Sequence, residues 1–379
     1  MLLPLESCPH RPPCSACPRF GQPGIGLAAR GALDELAHAH GLPDVPTVTG
    51  LTSGFRLRAR LAIRGRLGSP KVGLFELGSH RVVHIPNCIV HHPLINRVAG
   101  VVRRALAETR VTAYSEGVHQ GLARYLQVVV ERRSQTAQVV LVANSATSAP
   151  LAGCLDLIVS RLGSELHSLW FNANLERANT ILGPDFESCF GPQSVVEHFG
   201  AAAIHYPPGA FGQNNLDIAE RIIDYVRGQI PRGARVTEFY CGVGAIGLSM
   251  LQRISELRLN EVSRHSLHGL ELGLMELAPA ERRKVSVVEG PAGESALAAV
   301  GSDVVVADPP RKGLDAKLCE YLKEQPPERL VYVSCGLESL KSDTARLTSG
   351  GKLRLEELTA FNLLPFTDHV ETVARFERI

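Results

Sequence analysis

The sequence has almost no net charge and lacks any long apolar run. It has 40 Lys and Arg residues against 38 Asp and Glu residues, a formal net charge of +2. Affinity for nucleic acid would therefore have to come from a local basic patch and not from the bulk charge. No stretch approaches the roughly 18–20 consecutive apolar residues that span a bilayer. The N-terminal segment MLLPLESCPHRPPC reaches proline and charge too early for a signal peptide. We therefore expect a cytoplasmic protein with no membrane partner.

A disordered or collagen-like chain is excluded by composition. Apolar residues make up 45% and charged residues 21%, with 35 Gly and 24 Pro, which is the balance of a globular protein. At about 100–200 residues per domain, the 379 residues predict two domains, or three small ones.

The cysteine count also argues against a disulfide framework, because nine is an odd number and the chain shows no export signal. Cys8, Cys14 and Cys17 form the pattern C-x5-C-x2-C in a Pro- and Arg-rich loop, and Cys88 after a strand-like stretch is the natural fourth ligand. Zinc and iron–sulfur clusters both accept four cysteines. A single C-x2-C pair favours a 4Fe–4S cluster over zinc, and three unrelated surface cysteines are the alternative.

The first half of the chain is rich in strand patterns. FRLRARLAIRG alternates apolar and basic residues and puts Arg56, Arg58 and Arg60 on one face of a strand. VGLFELGSHRVVHI and ARYLQVVVERRSQTAQVVLVAN each predict a hairpin. We expect a mainly antiparallel sheet whose basic solvent face contacts a phosphate backbone. A solvated sheet face without a ligand is the alternative.

The pattern changes after about residue 195. NNLDIAERIIDYVRGQI has a helical period, and short apolar strands then alternate with helices or loops, as in a parallel doubly wound sheet. The boundary is placed within GPDFESCFGPQS, which gives domains 1–194 and 195–379. The predicted fold class is therefore α/β, with a Rossmann-like C-terminal domain and a mainly antiparallel β N-terminal domain.

A glycine loop follows the first strand of the second domain. In RVTEFYCGVGAIGL, Gly242 and Gly244 let the backbone pass close to a ligand at the carboxyl end of that strand. Glu261 follows about 20 residues later, where it could bind ribose hydroxyls. This combination is shared by nucleotide sites of several kinds, so it does not decide the ligand alone.

Three further motifs follow later strands. Asp308 begins DPPRKGL, Cys335 ends the buried pattern VYVSCG, and Glu371 lies in TDHVE. A cysteine at the carboxyl edge of a parallel sheet lies where ligands bind, although a buried core cysteine is the simpler interpretation. As a nucleophile it would need a favoured thiolate, and a nearby carboxylate could act as a general base.

The ordered set QNN, EFYCGVG, DPPRKGL, VYVSCG and TDHVE resembles the RNA 5-methyluridine methyltransferase family, which uses S-adenosylmethionine (SAM). The resemblance covers nearly the whole chain. Family members that carry a 4Fe–4S cluster have a C-x5-C-x2-C pattern and a further cysteine some 70 residues later, and here 70 residues separate Cys17 from Cys88. Members differ in an additional β-barrel (TRAM) domain, which we expect this chain to lack.

The resemblance implies a class I SAM methyltransferase fold and a role for each matching residue. Cys335 would add to ring carbon 6 of uracil, Glu371 would remove the proton from carbon 5, and Asp308 would lie between cofactor and base. It also implies two ligand sets: Gln213, Tyr240, Glu261 and Asp308 for SAM, and Cys8, Cys14, Cys17 and Cys88 for the cluster.

Four positions depart from the family pattern. Gly336 stands where the family has Asn, Pro291 where it has Asp, Asn362 where Asp is usual, and Phe366 where a polar residue is common. The cysteine and both carboxylates are present, so we expect an active, monomeric enzyme.

The resemblance implies 23S rRNA as the substrate, because members restricted to bacterial tRNA usually lack the cluster cysteines. The alternatives are methylation of the tRNA T-loop uridine and a non-catalytic iron–sulfur RNA-binding protein.

Overall fold

The computed structural model describes residues 8–22, 24–177 and 179–379. Its strands, in chain order, are β1 (Thr47–Val48), β2 (Arg58–Arg66), β3 (Ser69–Phe75), β4 (Val82–His84), β5 (Ala123–Val130), β6 (Ala137–Ala143), β7 (Leu166–Ala173), β8 (Asp185–Phe190), β9 (Val195–Phe199), β10 (Ala202–Tyr206), β11 (Arg235–Phe239), β12 (Glu256–Glu261), β13 (Val285–Glu289), β14 (Val304–Ala307), β15 (Arg329–Ser334), β16 (Leu353–Phe361) and β17 (Glu371–Arg378).

The helices of the described part are α1 (Leu27–Ala39), α2 (Pro93–Glu108), α3 (Ala152–Leu162), α4 (Leu216–Gln229), α5 (Ala245–Ser249), α6 (Arg264–Met275), α7 (Pro279–Arg282), α8 (Ala316–Glu324) and α9 (Leu337–Thr348). Within residues 8–22, 24–177 and 179–379, no helix is both long and apolar enough to cross a bilayer.

The chain forms two compact units. The first contains the described residues up to Gly21, together with Leu51–Glu197 and Tyr206–Leu216; the second contains Gln22–Gly50, His198–His205 and Asp217–Ile379. These units differ from the domains drawn on sequence, 1–194 and 195–379, because the segment 22–50 belongs to the second unit and 206–216 to the first. The boundary predicted near residue 195 falls at the start of β9.

The first unit is built on a seven-stranded sheet of order β4-β3-β2-β5-β6-β7-β8. Its neighbours pair antiparallel except β6 and β7, which are parallel and connected through α3. The two predicted hairpins are confirmed as β3–β4 and β5–β6. Helix α2 packs against β3, β5 and β6, and every residue of β5 and β6 is buried, those of both faces included.

The predicted basic solvent face of β2 is wrong. Arg58 is only 7% exposed, and its Nη1 donates to the Ala210 carbonyl at 2.8 Å while the guanidinium lies 5.5 Å from the centre of the Tyr206 ring. Arg60 is exposed, but its Nε donates to Gln127 Oε1. The alternation in the sequence correctly predicts a strand. It does not predict a solvent-exposed face, because residues 206–216 cover Arg58.

The second unit confirms the Rossmann-like prediction. Its eight-stranded sheet has the order β1-β16-β17-β15-β14-β11-β12-β13. Strands β13, β12, β11, β14 and β15 are parallel, and β17 runs antiparallel between β15 and β16. The N-terminal segment adds β1 beside β16 and buries Leu33 and Ala37 of α1 in the core of this unit.

Candidate active site and cysteine loops

The carboxyl edge of the eight-stranded sheet brings together five of the six residues predicted for catalysis and cofactor binding. Strands β11, β14 and β15 are parallel neighbours and end just before Tyr240, Asp308 and Cys335. Strand β17 begins at Glu371 and runs the opposite way, so Thr372 pairs with Ser334. The chain goes to opposite sides of β11 for β12 and β14, which is the switch point where ligands bind in such sheets.

Glu261 holds the glycine loop in place. Its Oε2 accepts from the Gly242 amide at 2.8 Å, and its Oε1 accepts from the amides of Val262 and Ser263 at 2.8 and 2.7 Å. Gly242 and Gly244 have φ values of +57° and +83°, a region that glycine reaches without strain. Each carboxylate oxygen has two acceptor sites, so Oε2 can still accept a ribose hydroxyl.

Tyr240 links this loop to the turn after β14. Its φ of +60° is uncommon for a non-glycine residue and directs the side chain out of the strand path. The hydroxyl accepts from the Asp315 amide at 2.9 Å, and burial raises the pKa of the phenol. The ring is therefore fixed beside the carboxyl end of β11.

Asp308 acts electrostatically on Cys335 and Glu371, and Glu371 acts on Cys335. Burial raises the pKa of Cys335 to about 11, with Glu371 and Asp308 adding to the rise and Arg311 opposing it. Burial and Asp308 raise the pKa of Glu371 to about 8, again opposed by Arg311. Burial alone raises the pKa of Asp308 to about 7. At neutral pH these pKa values keep the Cys335 thiol neutral and much of Glu371 protonated.

The turn that follows Asp308 is held by a buried acid that the sequence reasoning missed. Asp343 on α9 accepts from the Leu314 amide and from the Tyr332 hydroxyl through Oδ2, both at 2.8 Å. Arg311, in the same turn, was also missed. No sequence pattern reveals Asp343, because its partners lie 29 and 11 residues away along the chain.

Gly336 has a steric explanation in this structure. A Cβ atom added there would lie 2.6 Å from Ser339 Oγ and 2.7 Å from the Arg311 carbonyl oxygen. The second contact is with backbone, so the asparagine of the family pattern would displace the turn that carries Arg311.

The other three departures lie in tightly packed or turning segments. Pro291 is exposed and follows Gly290, whose amide donates to the Glu261 carbonyl at 2.9 Å. Asn362 is 1% exposed and its Oδ1 has no partner within the described residues. Phe366 is fully buried at a φ of +68°.

Gln213, the sixth predicted residue, belongs to the first compact unit. There it lines a small cavity with Arg58, Glu197 and Tyr206. Burial raises the pKa of Glu197, and Arg132 donates to this carboxylate from its backbone amide at 2.8 Å and from Nε at 2.9 Å.

The four predicted metal-binding cysteines lie on two loops of the first unit, and all four are half-buried. The loops are joined because the Asn87 amide donates to His10 Nε2 at 3.1 Å. Burial raises the pKa of Cys17 to about 11, and Cys88, Cys14 and Cys8 add to the rise. The four thiols are therefore within electrostatic reach of one another.

A buried cation accompanies these thiols. The Arg56 amide donates to the Val90 carbonyl and its carbonyl accepts from the His92 amide, both at 2.9 Å, just past Cys88. Its buried Nε has no hydrogen-bond partner within the described residues, and its charge lowers the pKa of Cys17 and of Cys88.

Four thiols and a guanidinium whose Nε has no hydrogen-bond partner within the described residues fit a group that carries negative charge. In the described part of the chain, however, no three His, Cys, Asp or Glu side chains are grouped so that they could hold a metal ion. Thiolates about 2.3 Å from a single zinc ion must converge closely, whereas a four-iron cluster bonds each cysteine to a different iron.

Comparison with known proteins identifies the chain's relatives. The family model for tRNA (uracil-5-)-methyltransferases matches residues 276–379. A relative from Protochlamydia amoebophila, named as an uncharacterized RNA methyltransferase, is 34% identical over 394 aligned positions and covers 100% of both chains. One from Geobacter sulfurreducens with the same description is 30% identical and covers 84% of this chain and 65% of its own length.

A solved structure has the same fold. The tRNA (uracil-54, C5)-methyltransferase of Pyrococcus abyssi, in complex with S-adenosyl-L-homocysteine, has a TM-score of 0.76 and 21% identity, and the match covers 92% of this chain and 83% of that one. The full-length match to the Protochlamydia relative, the family model and the arrangement of the sheet edge agree. The chain therefore belongs to the family of SAM-dependent RNA (uracil-5-)-methyltransferases.

Proposed function

We propose that this chain methylates carbon 5 of a uridine in 23S rRNA through a covalent adduct of Cys335. The observation that carries the proposal is the meeting of Cys335, Glu371 and Asp308 at one sheet edge, beside the glycine loop that Glu261 holds. A nucleophile, a second acid–base group and a nucleotide-binding loop together are what this reaction requires.

The protein's own groups divide the reaction between them. The Cys335 sulfur forms a bond to carbon 6 of uracil, and the ring electrons that it displaces make carbon 5 nucleophilic. Bound SAM would supply the methyl group. The Glu371 carboxylate then takes the proton from carbon 5, the carbon 5–carbon 6 double bond re-forms, and the sulfur–carbon bond breaks. Tyr240 and Glu261 would hold the cofactor in the second unit. The assignment of Gln213 to the cofactor stays a prediction from the resemblance.

Reaching the base requires its removal from the RNA stack, at an expense of a few kcal/mol. We assign RNA binding to the first unit, in which Arg60 is exposed. The buried Arg58 is no longer a candidate for direct phosphate contact.

We also propose that Cys8, Cys14, Cys17 and Cys88 hold a 4Fe–4S cluster with a structural role. Two observations support this proposal. The other three thiols raise the pKa of Cys17, and the buried Nε of Arg56 has no hydrogen-bond partner within the described residues. Iron and acid-labile sulfide analysis of anaerobically purified protein tests this assignment, and a colourless zinc protein would contradict it.

The T-loop uridine of tRNA is the second candidate substrate. It is favoured by the description of the family model that matches residues 276–379 and by the function of the Pyrococcus abyssi protein. We propose 23S rRNA first because the chain has Cys8, Cys14, Cys17 and Cys88, which family members restricted to bacterial tRNA usually lack.

Trapping with 5-fluorouridine-containing RNA tests the proposal, because fluorine at carbon 5 cannot leave as a proton. With SAM present, the wild type should form a denaturation-resistant complex whose peptide map places the RNA on Cys335. Cys335→Ala should form none and lose essentially all transfer of labelled methyl groups, more than about 10⁴-fold. Cys319→Ala is the matched control, since burial also raises the pKa of that thiol to about 11.

The same assay distinguishes the substrates when 23S rRNA and tRNA transcripts are offered separately. Preferential methyl transfer to tRNA would show that the T-loop uridine, and not a uridine of 23S rRNA, is the substrate. RNA binding without any transfer would leave the non-catalytic alternative.

A further inference from the structure

Arg311 has no role in the reaction as written above, yet it sits at the site. It follows Asp308 by three residues, and its Nη2 lies 3.1 Å from His369 Nε2. A guanidinium only donates hydrogen bonds, so His369 accepts and is neutral. Burial and Arg311 both lower the pKa of His369, which agrees with this assignment.

The Arg311 backbone is in contact with the turn that carries the nucleophile. Its carbonyl oxygen would be 2.7 Å from a Cβ at position 336, next to Cys335. The Gly336 carbonyl accepts from Ser339 Oγ at 2.8 Å, which fixes the turn from its other side. The Arg311 backbone can therefore approach this turn because position 336 has no side chain.

Charged and titratable groups face the thiol from each neighbouring strand. Glu371 on β17 and Asp308 after β14 disfavour its thiolate, and Arg311 favours it. Tyr332 on β15 also interacts with the thiol, but its hydroxyl donates to Asp343. His369 is neutral and Asp368 acts on it.

We propose that the Arg311 guanidinium is the counter-cation of the Cys335 thiolate, and that Gly336 holds it there by admitting the Arg311 backbone. In the step that this cation serves, the S–H bond breaks, the electron pair stays on sulfur and the proton leaves to water. The inference rests on the proposed function, because it takes Cys335 as the nucleophile. Arg311 is thus an electrostatic and positioning residue.

Alkylation of the thiol by iodoacetamide, followed by mass spectrometry of the Cys335 peptide, tests the inference without RNA or SAM. Only the thiolate reacts, so at any pH below the pKa of about 11 the alkylation rate is proportional to the thiolate fraction of this cysteine, and a tenfold change in rate corresponds to a shift of about one unit in its midpoint. Arg311→Met should shift the midpoint upward by about one pH unit and slow alkylation at neutral pH about tenfold. Gly336→Ala should shift it in the same direction.

Two further variants test whether the positive charge of Arg311 causes the shift of the Cys335 midpoint. Arg311→Lys keeps a cation and should restore most of the wild-type midpoint, whereas Lys312→Met, an exposed neighbour, should leave it unchanged. A wild-type midpoint in Arg311→Met would overturn the inference, and so would an Arg311→Lys variant as impaired as Arg311→Met. If the shifts occur but wild-type protein forms no adduct with 5-fluorouridine RNA, the proposed function fails and the role of Arg311 stands.

Discussion

Cys335 and Cys17 are two cysteines of similarly raised pKa that differ in the neighbours which add to the effect of burial. Cys335 and Cys17 both have a pKa of about 11, and burial is the largest cause for each. At Cys335 the remaining rise comes from two carboxyl groups, whereas at Cys17 it comes from three other thiols. One arginine opposes the rise at each place, Arg311 in the first case and Arg56 in the second.

The comparison shows that a raised thiol pKa does not by itself indicate reactivity. A thiol beside acids can exchange protons with them and with a substrate, which suits covalent catalysis. Neighbouring thiols can all ionise when they bind a metal, because the metal replaces their protons. The neighbours of a cysteine, more than its pKa, distinguish the two roles.

Among the neighbours of these two cysteines, the acid beside Cys335 should have the largest effect on turnover. Glu371→Gln removes the base that takes the carbon 5 proton, so the methyl transfer turnover should fall by about 10²–10⁴. Because release of sulfur follows proton removal, a covalent complex with ordinary uridine RNA should accumulate on denaturing gels.

Glu377→Gln, at the other end of β17, is the matched control and should keep turnover near wild type. Full turnover in Glu371→Gln would show that another group takes the proton.

A smaller effect concerns stability against pH. The pKa values of Glu371 and Asp308 are raised to about 8 and about 7, so the folded state binds more protons than the unfolded state above about pH 5. The free energy of unfolding should therefore fall as pH rises through both values. Glu371→Gln should remove about 4 kcal/mol of the decrease between about pH 5 and pH 9.

Urea denaturation at several pH values measures this difference. Parallel curves for the wild type and the variant would mean that Glu371 ionises as readily in the folded protein as in the unfolded chain.

The smallest effect on methyl transfer is expected from the cysteine loops. Cys17→Ser should lose most of the iron of the proposed cluster, while Cys335 still forms its adduct with 5-fluorouridine RNA, because the proposed cluster has no part in the bond changes. We expect transfer to fall less than about tenfold at saturating RNA, a loss of about 1.4 kcal/mol or less.

Cys189→Ser is the control, an exposed cysteine outside the set, and should keep its iron. Equal iron content in the wild type and Cys17→Ser would refute the ligand assignment.

Short-range patterns predicted much of the architecture. The β3–β4 and β5–β6 hairpins and the parallel sheet of the second unit were predictable because alternation and apolar runs are local signals. The placement of α1 and β1 was not, since β1 joins β16 through pairs such as Thr47 with Ala360. No local pattern specifies a partner more than 300 residues away, and burial of Leu33 depends on that partner.

Local sequence patterns were enough to place Tyr240, Glu261, Asp308 and Cys335 at strand ends, and the ends of parallel strands meet at one edge of a sheet. Which charges act on the thiol depends on the folded structure. The contact of Arg311 with position 336, the support of its turn by Asp343 and the burial of Arg58 all join residues distant in sequence. Electrostatic energies depend on distance and burial, and neither is written in the order of the residues.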